Sequence, residues 1–242
     1  VLRMDQDAPL RQRINYRRII HMKKVICISG KAQHGKTTTA NLMKNYLEAK
    51  DERVLVASNA GLVKYVCKTF FGWDGNKDDA GRALLQYVGT DIVRKRDPDY
   101  WVEFLLGMMD FFKDEWDYVI IDDCRFPNEI DNWWEDGYEV YHIRVNSDGF
   151  DRPLTDKAKA HKSEHALDDM ECDFEIDNSG SLAELKETVE DITKWITGEM
   201  TEEKYTSMLI AAKDFVQCAM SRLEPEEVVK FFKIATRELD NI

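Results

Sequence analysis

The stretch GKAQHGKT at 30–37, between the apolar run VICIS and a segment of helical periodicity, constrains this chain more than any other feature. Strand, G-x-x-x-x-G-K-[ST] and helix in that order specify a loop that wraps phosphate. Gly30 and Gly35 let the backbone curl so that successive N–H groups face inward, and the new helix aims its positive end at the same point. Lys36 is then placed to reach the β- and γ-phosphates of a nucleotide, and the Thr37 hydroxyl to coordinate magnesium. Lys31, Ala32, His34 and Thr38 belong to the same phosphate-facing stretch.

A second element is the apolar run at 118–123, which ends in two acids. Asp122 is expected to hold magnesium through water, with Asp123 as the competing assignment. An acid after a strand also serves to cap a helix.

Five short apolar runs, at 24–29, 53–57, 118–122, 139–145 and 173–176, read as strands. Continuous rather than alternating apolarity fits a parallel sheet with helices on both faces. Helical segments begin with 37–47 and end with 182–196, where Leu182, Leu185, Val189, Ile192 and Ile196 share a face and Ser181 with Glu184 forms a capping box. The expected fold is a three-layer α/β/α domain on a five-stranded parallel sheet. The 60 residues at 58–117 are too many for one crossover and predict a helical substrate-binding insert. The core is expected over 23–198, with a lid region at 147–171 and a helical hairpin at 199–242 broken at Glu224 and Pro225. Residues 1–22 read as a disordered leader.

A net charge of -12 argues against a nucleic-acid polymer as partner, whereas a small anion needs only a local basic pocket. The 5 cysteines are odd in number and lack a C-x-x-C pair, which predicts a reducing compartment and no structural zinc. No apolar run is long enough for a membrane span and no signal peptide is visible, so a cytoplasmic protein is expected, with a homodimer through the tail left open. A guanine-reading N-K-x-D segment directly after a later strand is absent, the NKDD spelling at 76–79 falling inside the expected insert, which argues against a GTP switch. Arg82 and Arg94 in the insert favour a kinase, because the guanidinium fork binds phosphate oxygens in pairs. Lys64 is counted with them as an acceptor-binding cation, although 58–73 holds no base-reading pattern. His161 and His165 stand at i and i+4 but lack a third convincing zinc ligand.

Five stretches, GKAQHGKT, LLQYVGTDIVR, DDCRFPNE, HKSEHALDD and DFEIDNSGSLAEL, spread over 23–197, resemble the deoxynucleoside monophosphate kinases of bacteriophages. These lie within the P-loop nucleoside monophosphate kinase superfamily, with a more distant likeness to phosphomevalonate kinase. The resemblance implies ATP and Mg2+ as cofactors, and a deoxynucleoside monophosphate phosphorylated to its diphosphate in the cytoplasm, the host's if the chain is phage-encoded. It implies catalytic roles for Lys36, Arg125 and Arg152, the last as a lid arginine, and a magnesium-facing Asp122. Arg94 and Arg125 would bind the acceptor or the transferring group, Glu164 would lie on the substrate side of the lid, and Asn178 near adenine. An Arg125–Glu129 pair across one helical turn is the structural alternative. Two other functions stay open: a kinase for another phosphorylated metabolite such as phosphomevalonate, and a nucleotide-regulated module whose tail recruits a partner.

Overall fold

A computed structural model describes residues 23–147 and 160–200. β1 (Lys24–Ser29), β2 (Val54–Ala57), β3 (Tyr118–Ile121), β4 (Glu139–Asn146) and β5 (Phe174–Asp177) form one parallel sheet in the order β2-β3-β1-β4-β5. β1 lies at its centre, and Val25 through Ile28 are fully buried because both faces are covered. The register pairs Cys27 with Ile121, so the chain leaving β3 emerges beside the loop that leaves β1. That adjacency brings the acids after β3 to the phosphate loop.

Alternation along β1 and β3 divides the core. Val25, Cys27, Val119 and Ile121 pack with Val102, Trp116, Ile130 and Trp133 in one layer. Ile26, Ile28 and Ile120 point the other way, toward the layer of α1 (Lys36–Glu48), which buries Ala40, Met43 and Leu47. α5 (Asn128–Glu135) supplies Ile130 and Trp133 to the first layer, where Tyr138 bridges Trp116 and Trp133 at centroid separations of 5.6 and 5.5 Å. Aromatic pairs at such distances add about 0.5–1.5 kcal/mol beyond their area. The architecture is the expected three-layer α/β/α fold.

The interval between β2 and β3 is helical: α2 (Asn59–Phe70), α3 (Asp79–Gln86), a π-helix (Tyr87–Arg94) and α4 (Tyr100–Phe111). It has its own small core of Val63, Cys67, Val88 and Trp101. The wider π turn came without a sequence signal. Gly89 lies against Val63, where an added Cβ would stand 3.2 Å from a methyl carbon, and Trp101 Nε1 donates to the Gly89 carbonyl at 2.9 Å. The close approach and the extra donor together support that turn.

α6 (Leu182–Thr197) buries Leu185, Val189 and Ile192. Its capping box is formed, with Ser181 N donating to Glu184 at 2.6 Å and Glu184 N to Ser181 Oγ at 3.3 Å. Leu182, expected on the buried face, is instead exposed, because it opens the helix before that face meets its neighbours. No helix among the described residues is long and apolar enough to cross a membrane. The leader at 1–22 and the hairpin beyond residue 200 lie outside the described residues.

Candidate active site

The phosphate loop leaves β1 at Gly30 with φ at 135°, and an added Cβ would sit 2.2 Å from the Val145 carbonyl oxygen. Gly35 has φ at 99° and caps α1 from the left-handed region. Both conformations exclude an ordinary side chain. Lys36 is buried, and its Nζ donates to the Gly30 and Lys31 carbonyls at 2.7 Å each. Burial and then the Arg125 charge lower its ammonium to about 7.

Three groups expected to touch nucleotide make contacts within the protein. The His34 ring is buried with Nδ1 3.3 Å from the Val145 carbonyl, and Lys31 reaches Asp168 at 3.4 Å. The Asn178 amide donates to the His34 carbonyl at 3.0 Å, tying the loop to the end of β5. These contacts tie the loop to β4, to the residue after β5 and to Asp168. Ala32, Gly35, Lys36, Thr37 and Thr38 do face the adjoining cavity.

The two acids after β3 take different tasks. Thr37 Oγ1 donates to Asp122 Oδ2 at 2.9 Å. Asp123, which also lines the cavity, caps α2, accepting from Ser58 Oγ at 2.6 Å, Asn59 N at 2.8 Å and Ala60 N at 2.9 Å. Of the two acids, Asp122 is the one in contact with the loop hydroxyl. Burial, and then the charge of Asp123, raises the Asp122 carboxyl. A hydroxyl and a carboxylate in contact at the helix start are the hard oxygen donors that Mg2+ takes, so these residues fit that ion. His161 Nδ1 is engaged with Ser163 and His165 Nδ1 with Asp168, and the described residues hold no cluster of three metal-ligating side chains.

The arginines are wired differently from the pairing across one turn considered above. Arg94, at the end of the π-helix, binds Glu129, whose side chain is 1% exposed. Its guanidinium also lies 4.4 Å over the Phe126 ring. Glu129 accepts from the backbone N–H groups of Arg125 at 2.5 Å and Phe126 at 3.2 Å, so it meets Arg125 through the main chain alone. The Arg125 guanidinium donates instead to Glu164 at 2.7 Å. Glu164 Oε2 accepts from the loop amide of Ala32 at 3.1 Å, joining its segment to the phosphate site. That segment is held by Arg144, which donates to the carbonyls of Leu167 at 2.8 Å and of Met170. Arg152 lies outside the described residues.

A cavity of about 660 Å³ gathers these groups, with Lys36, Thr37 and Asp122 sharing it with Lys64, Arg82, Arg94, Arg125 and Glu164. Asn59, Lys77, Gln86 and Thr90 also line it and were not singled out in the sequence. Gln86 and Thr90 sit within the LLQYVGTDIVR stretch, whereas Lys77 belongs to the connection before α3, in an N-K-x-D spelling that does not directly follow a strand. Six cations face four carboxylates there, a local positive excess within a chain of net charge -12.

A phosphate loop, an acid just after the adjacent strand and a parallel sheet centred on the loop strand are the architecture of a P-loop nucleotide-binding domain. The family pattern described as deoxynucleotide monophosphate kinase matches residues 71–189. The deoxynucleotide monophosphate kinase of Escherichia phage RB69 is 34% identical over 115 residues, covering 47% of this chain and 44% of that protein. The enzyme of the same name from Enterobacteria phage T4 is 35% identical over 115 residues, covering 47% of this chain and 45% of its own length. The chain thus matches less than half the length of either relative. Among solved structures, the APS kinase of Mycobacterium tuberculosis in complex with AMPPNP and APS superposes with a TM-score of 0.43 at 13% identity, over 73% of this chain and 99% of that one. A sugar kinase from Janibacter gives 0.44 at 15%, over 69% and 91%.

Proposed function

We propose that this protein transfers the γ-phosphoryl group of ATP to the phosphate of a deoxynucleoside monophosphate. One observation carries the reading: the phosphate loop and the insert cations open into the same cavity, which supplies a donor and an acceptor anion site within one space. The match of 71–189 to the deoxynucleotide monophosphate kinase pattern supports the choice of acceptor.

An acceptor phosphate is already anionic at neutral pH, so no side chain needs to remove a proton. An acceptor oxygen forms a bond to the γ-phosphorus, the bond to the β,γ-bridging oxygen breaks, and its electron pair leaves with ADP. The protein's contribution is position and charge. Lys36 turns from the loop carbonyls to the bridging oxygen, and Arg125 exchanges Glu164 for the moving phosphoryl group. Thr37 and Asp122 would hold Mg2+, which neutralises charge on the donor phosphates when bound.

The test is ADP formation from ATP and Mg2+ with the four common deoxynucleoside monophosphates, their ribonucleotide counterparts, phosphomevalonate and no acceptor. Turnover with one or more deoxynucleotides, well above the control, is expected. Rates at the control level for every deoxynucleotide would contradict the reading, and turnover of phosphomevalonate alone would replace the acceptor.

A further inference from the structure

The cavity holds two kinds of cation. Arg94 is matched by Glu129 and Arg125 by Glu164. Lys64, Lys77 and Arg82 have no carboxylate partner among the described residues, and all three line the same cavity. A cation matched by a buried carboxylate offers little net attraction to a second anion, whereas an unmatched one offers its full charge and all its donors.

Lys77 is presented by a loop built to hold it. Trp73 Nε1 donates to the Asn76 carbonyl at 2.8 Å, and Asn76 is fixed by Asp74 through its backbone N at 2.9 Å and its amide at 2.6 Å. Asp78 then caps α3, accepting from Gly81 N at 2.8 Å. The loop closes directly over Gly81, where an added Cβ would lie 2.1 Å from the Asn76 carbonyl oxygen. Lys77 emerges within the field of Lys64 and Arg82. Desolvation, and then those two charges, pulls its ammonium below the usual lysine range. Asp123 and Asp122 act on Lys77 and Lys64 from beyond ion-pair distance, so the three like charges share the cavity without a paired anion.

We propose that Lys77, together with Lys64 and Arg82, holds the phosphate dianion of the acceptor, making Lys77 a substrate-binding residue of this site. This rests on the phosphotransferase reading and assigns the group that fixes the acceptor in the cavity.

The test is steady-state kinetics with whichever acceptor of the panel the wild-type protein phosphorylates fastest. Lys77→Gln should raise the acceptor KM by about 10- to 100-fold, the effect of losing one charge-assisted bond. The KM for ATP should be unchanged, and Lys77→Arg should recover most of the loss. Gly81→Ala, which displaces the loop, should raise the acceptor KM in the same way. Lys68→Gln, which removes a charge from α2 outside the cavity, should leave it as in wild type. An unchanged acceptor KM in Lys77→Gln, or an equal loss of ATP affinity, overturns the assignment. A wild-type protein that turns over no acceptor overturns the phosphotransferase reading itself, and this one with it, before any variant is made.

Discussion

The two ends of the cavity are built by different means. At the proposed donor end, one unbroken stretch from Gly30 to Thr38 supplies the glycines, the lysine and the hydroxyl, and Asp122 meets it from just beyond β3. At the acceptor end, Lys64, Lys77, Arg82 and Arg94 come from α2, a loop, α3 and the π-helix. Backbone amides bind phosphate whatever the neighbouring side chains are, so a local spacing suffices for the donor. The acceptor end depends on side chains that meet only after the insert has packed. Changes at the donor end should therefore affect chemistry more than folding, and changes in the acceptor framework should do both.

The severest break should come at the acceptor framework. Glu129→Ala leaves Arg94 buried without its partner and frees the amides of Arg125 and Phe126, which should cost about 3–5 kcal/mol of stability in denaturant unfolding. An unfolding free energy equal to wild type would show that Glu129 does not hold that framework. At the donor end, Lys36→Met should lower turnover by about 10²- to 10³-fold, comparable to removing one preorganised donor from a transition state, with little loss of stability. Unaltered turnover would detach the loop from the chemistry.

A pH titration sharpens the same contrast. The Lys36 ammonium is lowered to about 7 by burial, while a bound polyphosphate favours its protonated form. ADP affinity should therefore fall as pH rises above 7, by about tenfold per unit, and Lys36→Met should flatten that slope in calorimetric titrations. For stability the sign is opposite. The unfolded lysine titrates near 10.5, so between about 7 and 10.5 the unfolded chain holds the proton more tightly, and this residue's contribution to stability rises with pH. The smallest effect should be at Asp123, where replacing the α2 cap by Ala should cost about 1 kcal/mol in thermal unfolding and leave the Thr37–Asp122 contact in place.

The donor end was largely legible in the sequence because its determinants are contiguous: glycines at fixed offsets, a lysine and hydroxyl at a helix start, and an apolar strand before them. The sheet was legible for a related reason. Strands buried on both faces have few polar positions, and all five runs lie within a residue or two of the observed elements. Helices in the insert were expected, yet the π-helix was not, since its wider turn depends on Gly89 meeting Val63 and Trp101 across space. Arg94 and Glu129 gave no sign of each other at a separation of 35 residues, and the nearer pairing of Arg125 with Glu129 was weighed instead. Lys77 was invisible for the same reason. Its surroundings are set by a loop folding onto Gly81, a contact that no local spacing announces.

Whether one cavity carries a phosphoryl group from ATP to a phosphate acceptor is tested most directly by the fate of a label on the γ-phosphorus. Purified protein incubated with γ-labelled ATP, Mg2+ and the deoxynucleoside monophosphates should deliver the label to a deoxynucleoside diphosphate, and Lys36→Met should abolish most of that product. Label released only as inorganic phosphate, at a rate indifferent to the acceptor, would contradict the account.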